Sequence, residues 1–382
     1  MTTMNEDLKV LQLGKFYPIK GGVEKVMYDL TTGLSERGIA CDMLCATAGK
    51  QQGDIRLNGR AKILGCRTWF QCAATMIAPS MITRLRKIQG EYDIIHIHHP
   101  DPMACLALFC SGYKGTVILH WHSDILKQKM ILKLYKPLQS WLIRRAARIV
   151  GTSPVYLQNS PFLREVQDKT VAVPIGVRRM CPEPEAVGKI RSRYPGKTIV
   201  FSLGRLIAYK GYEYLIEAGR HLDDSYVILI GGTGPLKDKL QRQIQTSGLT
   251  GKVKLLGFIP DEELAAWYGA CDLFCLSSVQ KTEAFGIVQI EAMSCGKPVV
   301  ATRIPGSGVA WVNADGESGL NVGPADAKAL AGAIRAITED RTVYAGYCKR
   351  ALQRYNDLFT EDFMIINMLY QYELYASCNY KE

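Results

Sequence analysis

The chain has 382 residues, 47% of them hydrophobic and 22% charged, and its formal net charge is +11. That length and a mean hydropathy of −0.02 favour two globular domains over one, while no apolar run reaches the roughly 18 residues of a membrane-crossing helix. The charge is uneven, with 25 Lys and Arg against 13 Asp and Glu up to residue 180 and 22 against 23 beyond it.

A basic first half suits nucleic acid, a membrane surface or an anionic substrate. No zinc-finger, RRM or KH signature occurs, which leaves nucleic acid the weakest of the three. The chain opens on polar and acidic residues with no apolar signal segment, so a cytosolic location is expected. Leu8 to Leu13 reads as a first strand, followed by a loop from Gly14 to Gly22 and an amphipathic helix over Val23 to Leu34. A strand, a glycine turn and a helix start present free backbone N–H groups to an anion. A plain tight turn explains the same residues. Strand-like segments recur at 41–46, 63–66, 93–98, 116–120 and 149–152 with helical stretches between them, the βα alternation of a parallel sheet. The twelve cysteines include no Cys-x-x-Cys and are read as reduced thiols.

Five of the six histidines fall in two clusters, His96/His98/His99 and His120/His122, both at strand carboxyl ends. Structural zinc usually takes local paired ligands, and no cysteine joins here, so imidazoles beside a phosphoryl leaving group are preferred to a metal site. His98 and His99 are candidates for lining an acceptor pocket. Between Leu126 and Arg148, the cations Lys127, Lys129, Lys133, Lys136, Arg144, Arg145 and Arg148 are interleaved with apolar and aromatic residues. Such a helix can rest on anionic headgroups, at about 1 kcal/mol per cation. The alternative is a surface helix packing on its own sheet, its long face interrupted by Pro137. Val171 to Val177 is a strand with a turn, and Arg178 to Gly196, rich in proline and charge, reads as a linker that places a boundary near 180.

The second half opens with a strand at Thr198–Leu203 and the loop Gly204-Arg-Leu-Ile-Ala-Tyr-Lys-Gly211. From that loop Arg205 and Lys210 can reach one diphosphate. Tyr226–Ile230 leads into Gly231-Gly-Thr-Gly-Pro235 and a helix over 236–245. Gly232 and Gly234 fit Gly-x-Gly and Pro235 suits a first turn, but Lys237 stands where a dinucleotide fingerprint has its third glycine. Another strand at Val253–Ile259 precedes a capped helix from Asp261. The buried strand Cys271–Ser278 then runs into Glu283-Ala-Phe-Gly-Ile-Val-Gln-Ile-Glu291, with a helix over Ile287–Ser294. Paired carboxylates suggest hydrolysis, but eight helical residues rise roughly 12 Å, beyond the ~5–9.5 Å of glycosidase pairs. The pair suits two parts of one extended ligand. The same spacing also fits a helix start, with Glu283 near the positive end of the dipole and Glu291 solvated. Strands at 298–302 and 319–322 and helices near 326–338 and 342–376 complete the order.

The Glu283/Glu291 spacing resembles the Glu-x7-Glu signature of retaining glycosyltransferases of family 4, whose GT-B fold is α/β, two Rossmann-like domains facing each other across a cleft. Gly21-Gly22, His120-Trp-His-Ser-Asp124, Gly204-Arg205 with Lys210-Gly211, and Gly232-Thr-Gly-Pro235 are similar to further segments of that family, in order. The resemblance implies a nucleotide-diphosphate sugar as donor. It is held by Gly21, Gly22, Arg205, Lys210, Gly232, Gly234, Pro235, Glu283, Ala284, Phe285, Gly286, Ile287 and Glu291. Within this set Arg205 and Lys210 neutralise the leaving diphosphate, Glu283 orients the sugar and Glu291 the ribose, while His122 assists at the transferred sugar. The implied domains are an acceptor domain over 1–180, a nucleotide-sugar domain over 181–360, and a helix over 361–382 crossing back to the first.

Two departures are visible. Ile175 replaces the Asn of the family's junction motif, and Ile304-Pro-Gly-Ser-Gly-Val309 stands where Gly-Gly-x-x-Glu is common. No Asp-x-Asp is present, so neither a divalent metal nor a cofactor is expected. His122 to Lys129 and Tyr135 to Leu138 look similar to bacterial O-antigen and surface-polysaccharide mannosyltransferases. That likeness implies transfer of a hexose, mannose from GDP-mannose, to a lipid-diphosphate-linked or glycan acceptor at the inner face of the cytoplasmic membrane. A sugar-nucleotide epimerase of the same fold and a non-catalytic sugar-nucleotide- or polysaccharide-binding protein are the alternatives.

Overall fold

The computed structural model describes residues 7–19, 21–47, 53–72, 75–125 and 129–376. The chain divides into two compact units, one made of Met1–Ile175 with Glu361–Glu382 and the other of Gly176–Thr360.

The first unit is built on an eight-stranded sheet of β1 (Lys9–Tyr17), β2 (Ala40–Thr47), β3 (Asp54–Arg56), β4 (Lys62–Arg67), β7 (Ile94–His99), β8 (Thr116–Trp121), β9 (Arg148–Gly151) and β10 (Thr170–Ala172). A hairpin of β5 (Phe70–Cys72) and β6 (Thr75–Ile77) stands apart from it. The sheet order is β10-β9-β8-β7-β1-β2-β4-β3, parallel except for the edge strand β3. Central strands of such a sheet are covered on both faces and read as continuous apolar runs. Val10, Leu11, Ile94, Ile95, Val117, Ile118 and Leu119 are accordingly all buried. Strand β1 runs through a register shift between Leu13 and Phe16 to Tyr17, so the front of the expected glycine loop is sheet. The helix Lys129–Arg145 is continuous through Pro137, against the expected interruption. The proline is exposed there, and it removes one backbone donor from the helix's own bonding.

The second unit carries β11 (Thr198–Leu203), β12 (Tyr226–Gly231), β13 (Val253–Gly257), β14 (Leu273–Leu276), β15 (Val299–Thr302) and β16 (Gly319–Val322). All run parallel in the order β13-β12-β11-β14-β15-β16. Val200, Ile228 and Ile230 of the sheet pack with Leu215, Ile216, Leu330 and Ile334 of helices in one core. The expected linker is folded. Pro184 occupies the first turn of a helix, Pro184–Arg191, and Pro182 lies against Gly269 of the helix Asp261–Ala270. The proline that suggested a linker is a helix starter. Asp261 is not a cap, since Pro260 holds that position without a side-chain bond.

The long helix expected over 342–376 is two, Arg341–Leu358 and Glu361–Ala376. Between them Phe359 is buried and its carbonyl accepts from the Val177 amide at 3.0 Å. The final helix packs on the first unit, with Ile365 against Gly33 and Asp362 paired to Arg37.

Each sheet reverses direction once. Strand β1 has β2 on one side and β7 on the other, and β11 has β12 on one side and β14 on the other. At such a reversal the connections leave to opposite faces, so a crevice opens at the carboxyl ends of the strands.

Candidate functional site

In the second unit, three strand-end loops meet at the β11/β14 reversal. After β11 come Gly204 to Gly211, after β12 the turn Gly232–Pro235, and after β14 the residues from Ser277 to Gly286. The Leu206 amide donates to the Thr233 carbonyl at 2.9 Å, and the Leu236 amide returns a bond to the Leu206 carbonyl at 3.1 Å. Gly232, at φ +127°, lies so close to the Gly204 carbonyl that no side chain fits between the two loops. On the other flank, the Val279 amide donates to the Tyr209 carbonyl at 2.8 Å and Ser277 Oγ to the Lys210 carbonyl at 2.9 Å.

The knit backbone places Lys210 Nζ 2.6 Å from Glu283 Oε2, their side chains only 10% and 11% exposed. Ser278 Oγ donates to the same carboxylate oxygen at 2.9 Å. Burial alone would lower the Lys210 pKa, but the Glu283 charge, helped by Tyr212 and Tyr209, carries it above its ordinary value. Arg205 stays exposed on the same loop. Gly286 starts the helix Ile287–Ser294 from the left-handed region, φ 79° and ψ 65°, where a Cβ would come within 2.7 Å of Leu276 and Gln289. Ala284 and Ile287 flank it half-buried, while Phe285 is buried edge-on to Phe359. Glu291 lies one helical face further on and accepts from Tyr268 Oη at 2.6 Å. A buried anion and cation, an exposed guanidinium and tight glycine turns at strand carboxyl ends form a cradle for an anionic ligand with a hydroxyl-rich end.

In the first unit, Gly21 caps the helix Gly22–Glu36 at the carboxyl edge of β1 without a side-chain cap bond, and both glycines are exposed. Beside it runs a row of imidazoles. Strand alternation puts His96, His98, His120 and His122 on one face, stacked at centroid distances from 3.9 to 5.3 Å, while His99 stacks on Trp121 at 3.8 Å. Burial holds every one of them well below the usual histidine value, His99 and His120 at about 3. The rings are therefore neutral. His96, His98 and His120 bring ring nitrogens within 4.8 Å of one another. Both nitrogens of His98 are engaged, Nε2 by Gln12 Oε1 at 2.8 Å and Nδ1 by His122 Nε2 at 3.0 Å, whereas His96 Nε2 and both nitrogens of His120 are buried without a hydrogen-bond partner among the described residues.

Residues 20–178 match the family described as Glycosyltransferase Family 4, and residues 187–354 that described as Glycosyl transferases group 1. Over 362 residues the chain is 30% identical to the O-antigen chain mannosyltransferase C of Escherichia coli, covering 94% of this chain and 96% of that one. The chain belongs to glycosyltransferase family 4. This glycosyltransferase is also 30% identical to the D-rhamnosyltransferase WbpZ of Pseudomonas aeruginosa, covering 92% of each chain. Its fold is shared with an Anabaena protein, HepE, solved with UDP and glucose (TM-score 0.76, 21% identity, 96% of this chain and 99% of that one). The sucrose-phosphate synthase of Thermosynechococcus elongatus shares it as well (TM-score 0.77, 22% identity, 97% of this chain and 100% of that one).

One expectation about the glycosyltransferase's side chains changes. His98 and His99 are fully buried, so they line no open acceptor pocket, because the alternating strand turns both rings into packed layers on either side of the sheet. Lys210 lies on the strand-end loop expected for it, with Nζ on the Glu283 carboxylate. Lys133 and Lys136 are exposed on the helix Lys129–Arg145; Lys127 lies outside the described residues, as does the side chain of Lys129. Gly234 and Pro235 stand at the mouth of the β12 turn. Sequence reasoning missed Ser278, Tyr268 and Ser307, whose Oγ donates to the Glu283 carbonyl. Ser307 belongs to the loop that departs from the family pattern, and the Gly308 amide there also bonds the Ala284 carbonyl at 2.9 Å. That loop braces the Glu283 turn through its backbone. A serine in a loop carries no sequence signal for this.

Proposed function

We propose that this glycosyltransferase is a retaining, metal-independent hexosyltransferase of bacterial polysaccharide biosynthesis, moving mannose from GDP-mannose to a lipid-diphosphate-linked or glycan acceptor. The observation that carries the reading is the buried Lys210–Glu283 pair at the β11/β14 reversal, with exposed Arg205 on the same loop. Arg205 meets the donor diphosphate. Lys210 turns from Glu283 toward the leaving phosphate as negative charge develops there, and preorganised cations of this kind lower the barrier without a metal. Glu283 then accepts from a sugar hydroxyl, Glu291 from the ribose, and His122 contributes a neutral imidazole to the transferred sugar.

Glu283 is held by Lys210 and Ser278, an arrangement suited to orienting a sugar rather than attacking its anomeric carbon. Attack from the face that the diphosphate leaves retains the configuration. Mannose is favoured by the mannosyltransferases among the relatives, the Escherichia coli protein above all. An anionic membrane surface fits exposed Lys133 and Lys136, with Phe109 at 51% exposure edge-on to Trp141 on the neighbouring helix.

Purified protein is incubated with a panel of nucleotide sugars, with and without a lipid-diphosphate acceptor, and released nucleotide is measured. Release from GDP-mannose that rises with acceptor, persists in a chelator and yields an α-linked product supports the reading. An epimerised sugar formed without acceptor favours the epimerase, and binding without release across the panel favours the binding protein.

A further inference from the structure

A buried chain of hydrogen bonds runs from the last helix to His122. Tyr372 Oη lies 2.6 Å from His96 Nδ1 and 3.0 Å from Gln12 Nε2, while Gln12 Oε1 meets His98 Nε2, and His98 Nδ1 meets His122 Nε2. Gln12, His96, His98 and Tyr372 are without exposed surface, and His122 is the most exposed ring of the row at 5%. Buried polar groups usually find a hydrogen-bond partner, so the contacts along this chain constrain where its protons sit.

With the Gln12 amide nitrogen facing Tyr372 and Cys41 Sγ and its oxygen facing His98, the donor and acceptor inventory has one solution. An amide oxygen only accepts, so His98 Nε2 carries the proton. His98 is neutral, which leaves Nδ1 bare and able only to accept. The proton at 3.0 Å therefore sits on His122 Nε2, and His122 Nδ1 keeps its lone pair. On the other side, the Gln12 amide nitrogen only donates, so Tyr372 Oη accepts from it and donates its own hydrogen bond to His96 Nδ1. Burial keeps that phenol protonated, consistent with the role of donor.

We propose that Gln12, anchored by Tyr372 of the final helix, is a positioning residue that sets the tautomer of His122, so that Nδ1 is offered as a hydrogen-bond acceptor to a hydroxyl of the bound sugar. The proposal rests on the reading of His122 given above. Gln12 touches no substrate and acts through His98.

The test uses full-length protein labelled with ¹⁵N-histidine. Long-range ¹H–¹⁵N spectra are expected to show His98 and His122 as Nε2–H tautomers. Gln12→Met, which keeps the volume and removes the amide, is expected to give mixed His122 tautomers. It should also lower kcat about tenfold while the donor KM stays within twofold. Tyr372→Phe, which loses only the hydroxyl, is expected to act in the same direction by a few-fold, and it serves where Gln12→Met does not fold. A wild-type spectrum with His122 protonated at Nδ1, or a foldable variant with unchanged tautomer and full kcat, overturns the proposal. Full activity in His122→Ala would instead sink the reading of His122 as a sugar contact, while the tautomer result stands or falls on the spectra.

Discussion

Lys210 and Glu283 hold each other charged in a place where either alone would be costly. Removing one partner of a buried pair leaves the other uncompensated, which typically costs about 3–5 kcal/mol. Glu283→Ala is therefore expected to lower unfolding stability by roughly that amount as well as abolish transfer. The double variant Lys210→Met/Glu283→Leu should recover much of the stability and none of the activity, as read by urea unfolding beside a donor-release assay. Because the Lys210 pKa is raised, the pair contributes fully below the unfolded value of 10.5 and is lost only as pH climbs through the higher folded value. The histidines act in the opposite sense. Burial pushes His99 and His120 to about 3, so between 6.5 and that value the unfolded chain takes up protons that the folded chain refuses. Stability then falls with acidification below pH ~6.5, by about 1.4 kcal/mol per pH unit for each such ring. Urea unfolding measured between pH 6 and 5 should show this slope, and His120→Phe should reduce it by one ring's share.

At the scale of elements, the alternation of strand and helix was readable because each buried parallel strand is a short apolar run bounded by turn residues. The errors concern proline and charge, whose meaning depends on position. Pro184 starts a helix within the expected linker and Pro137 lies inside a continuous helix, so neither breaks regular structure as expected. The helix Lys129–Arg145 is also where membrane association is tested. A cation next to an anionic surface contributes about 1 kcal/mol, and Lys133 and Lys136 are exposed on this helix. Lys133→Glu/Lys136→Glu should weaken cosedimentation with vesicles rich in anionic lipid by well over tenfold, while transfer to a soluble acceptor analogue is unchanged. Equal binding by wild type and variant would remove the membrane from the account.

For the molecule as a whole, local spacing placed Arg205, Lys210 and Glu283 on strand-end loops, but their pairing arises from a strand order that no local pattern encodes. The network around His122 is less legible still, since Gln12 and Tyr372 are 360 residues apart and look like an ordinary core strand and a surface helix. Truncation after Thr360 removes Tyr372, Ile365 and Asp362 from the first unit and nothing from the second. Hydrogen exchange on that truncated chain should show lost protection in β1 and the helix Gly22–Glu36, with the Gly176–Thr360 unit retaining its own. Uniform protection loss would refute the division of labour.

The return of the last helix also has a consequence for synthesis on the ribosome. The second unit is one uninterrupted stretch and can close as soon as it emerges. The first unit, although made earlier, must wait for the helix Glu361–Ala376 before Gln12 finds its partner. At about 5–20 residues per second that interval lasts on the order of 10–40 s, during which the earlier unit has an uncovered helix face. The imidazole row therefore takes up its finished hydrogen-bonded form only after the helix Glu361–Ala376 has emerged and brought Tyr372 to Gln12 and His96.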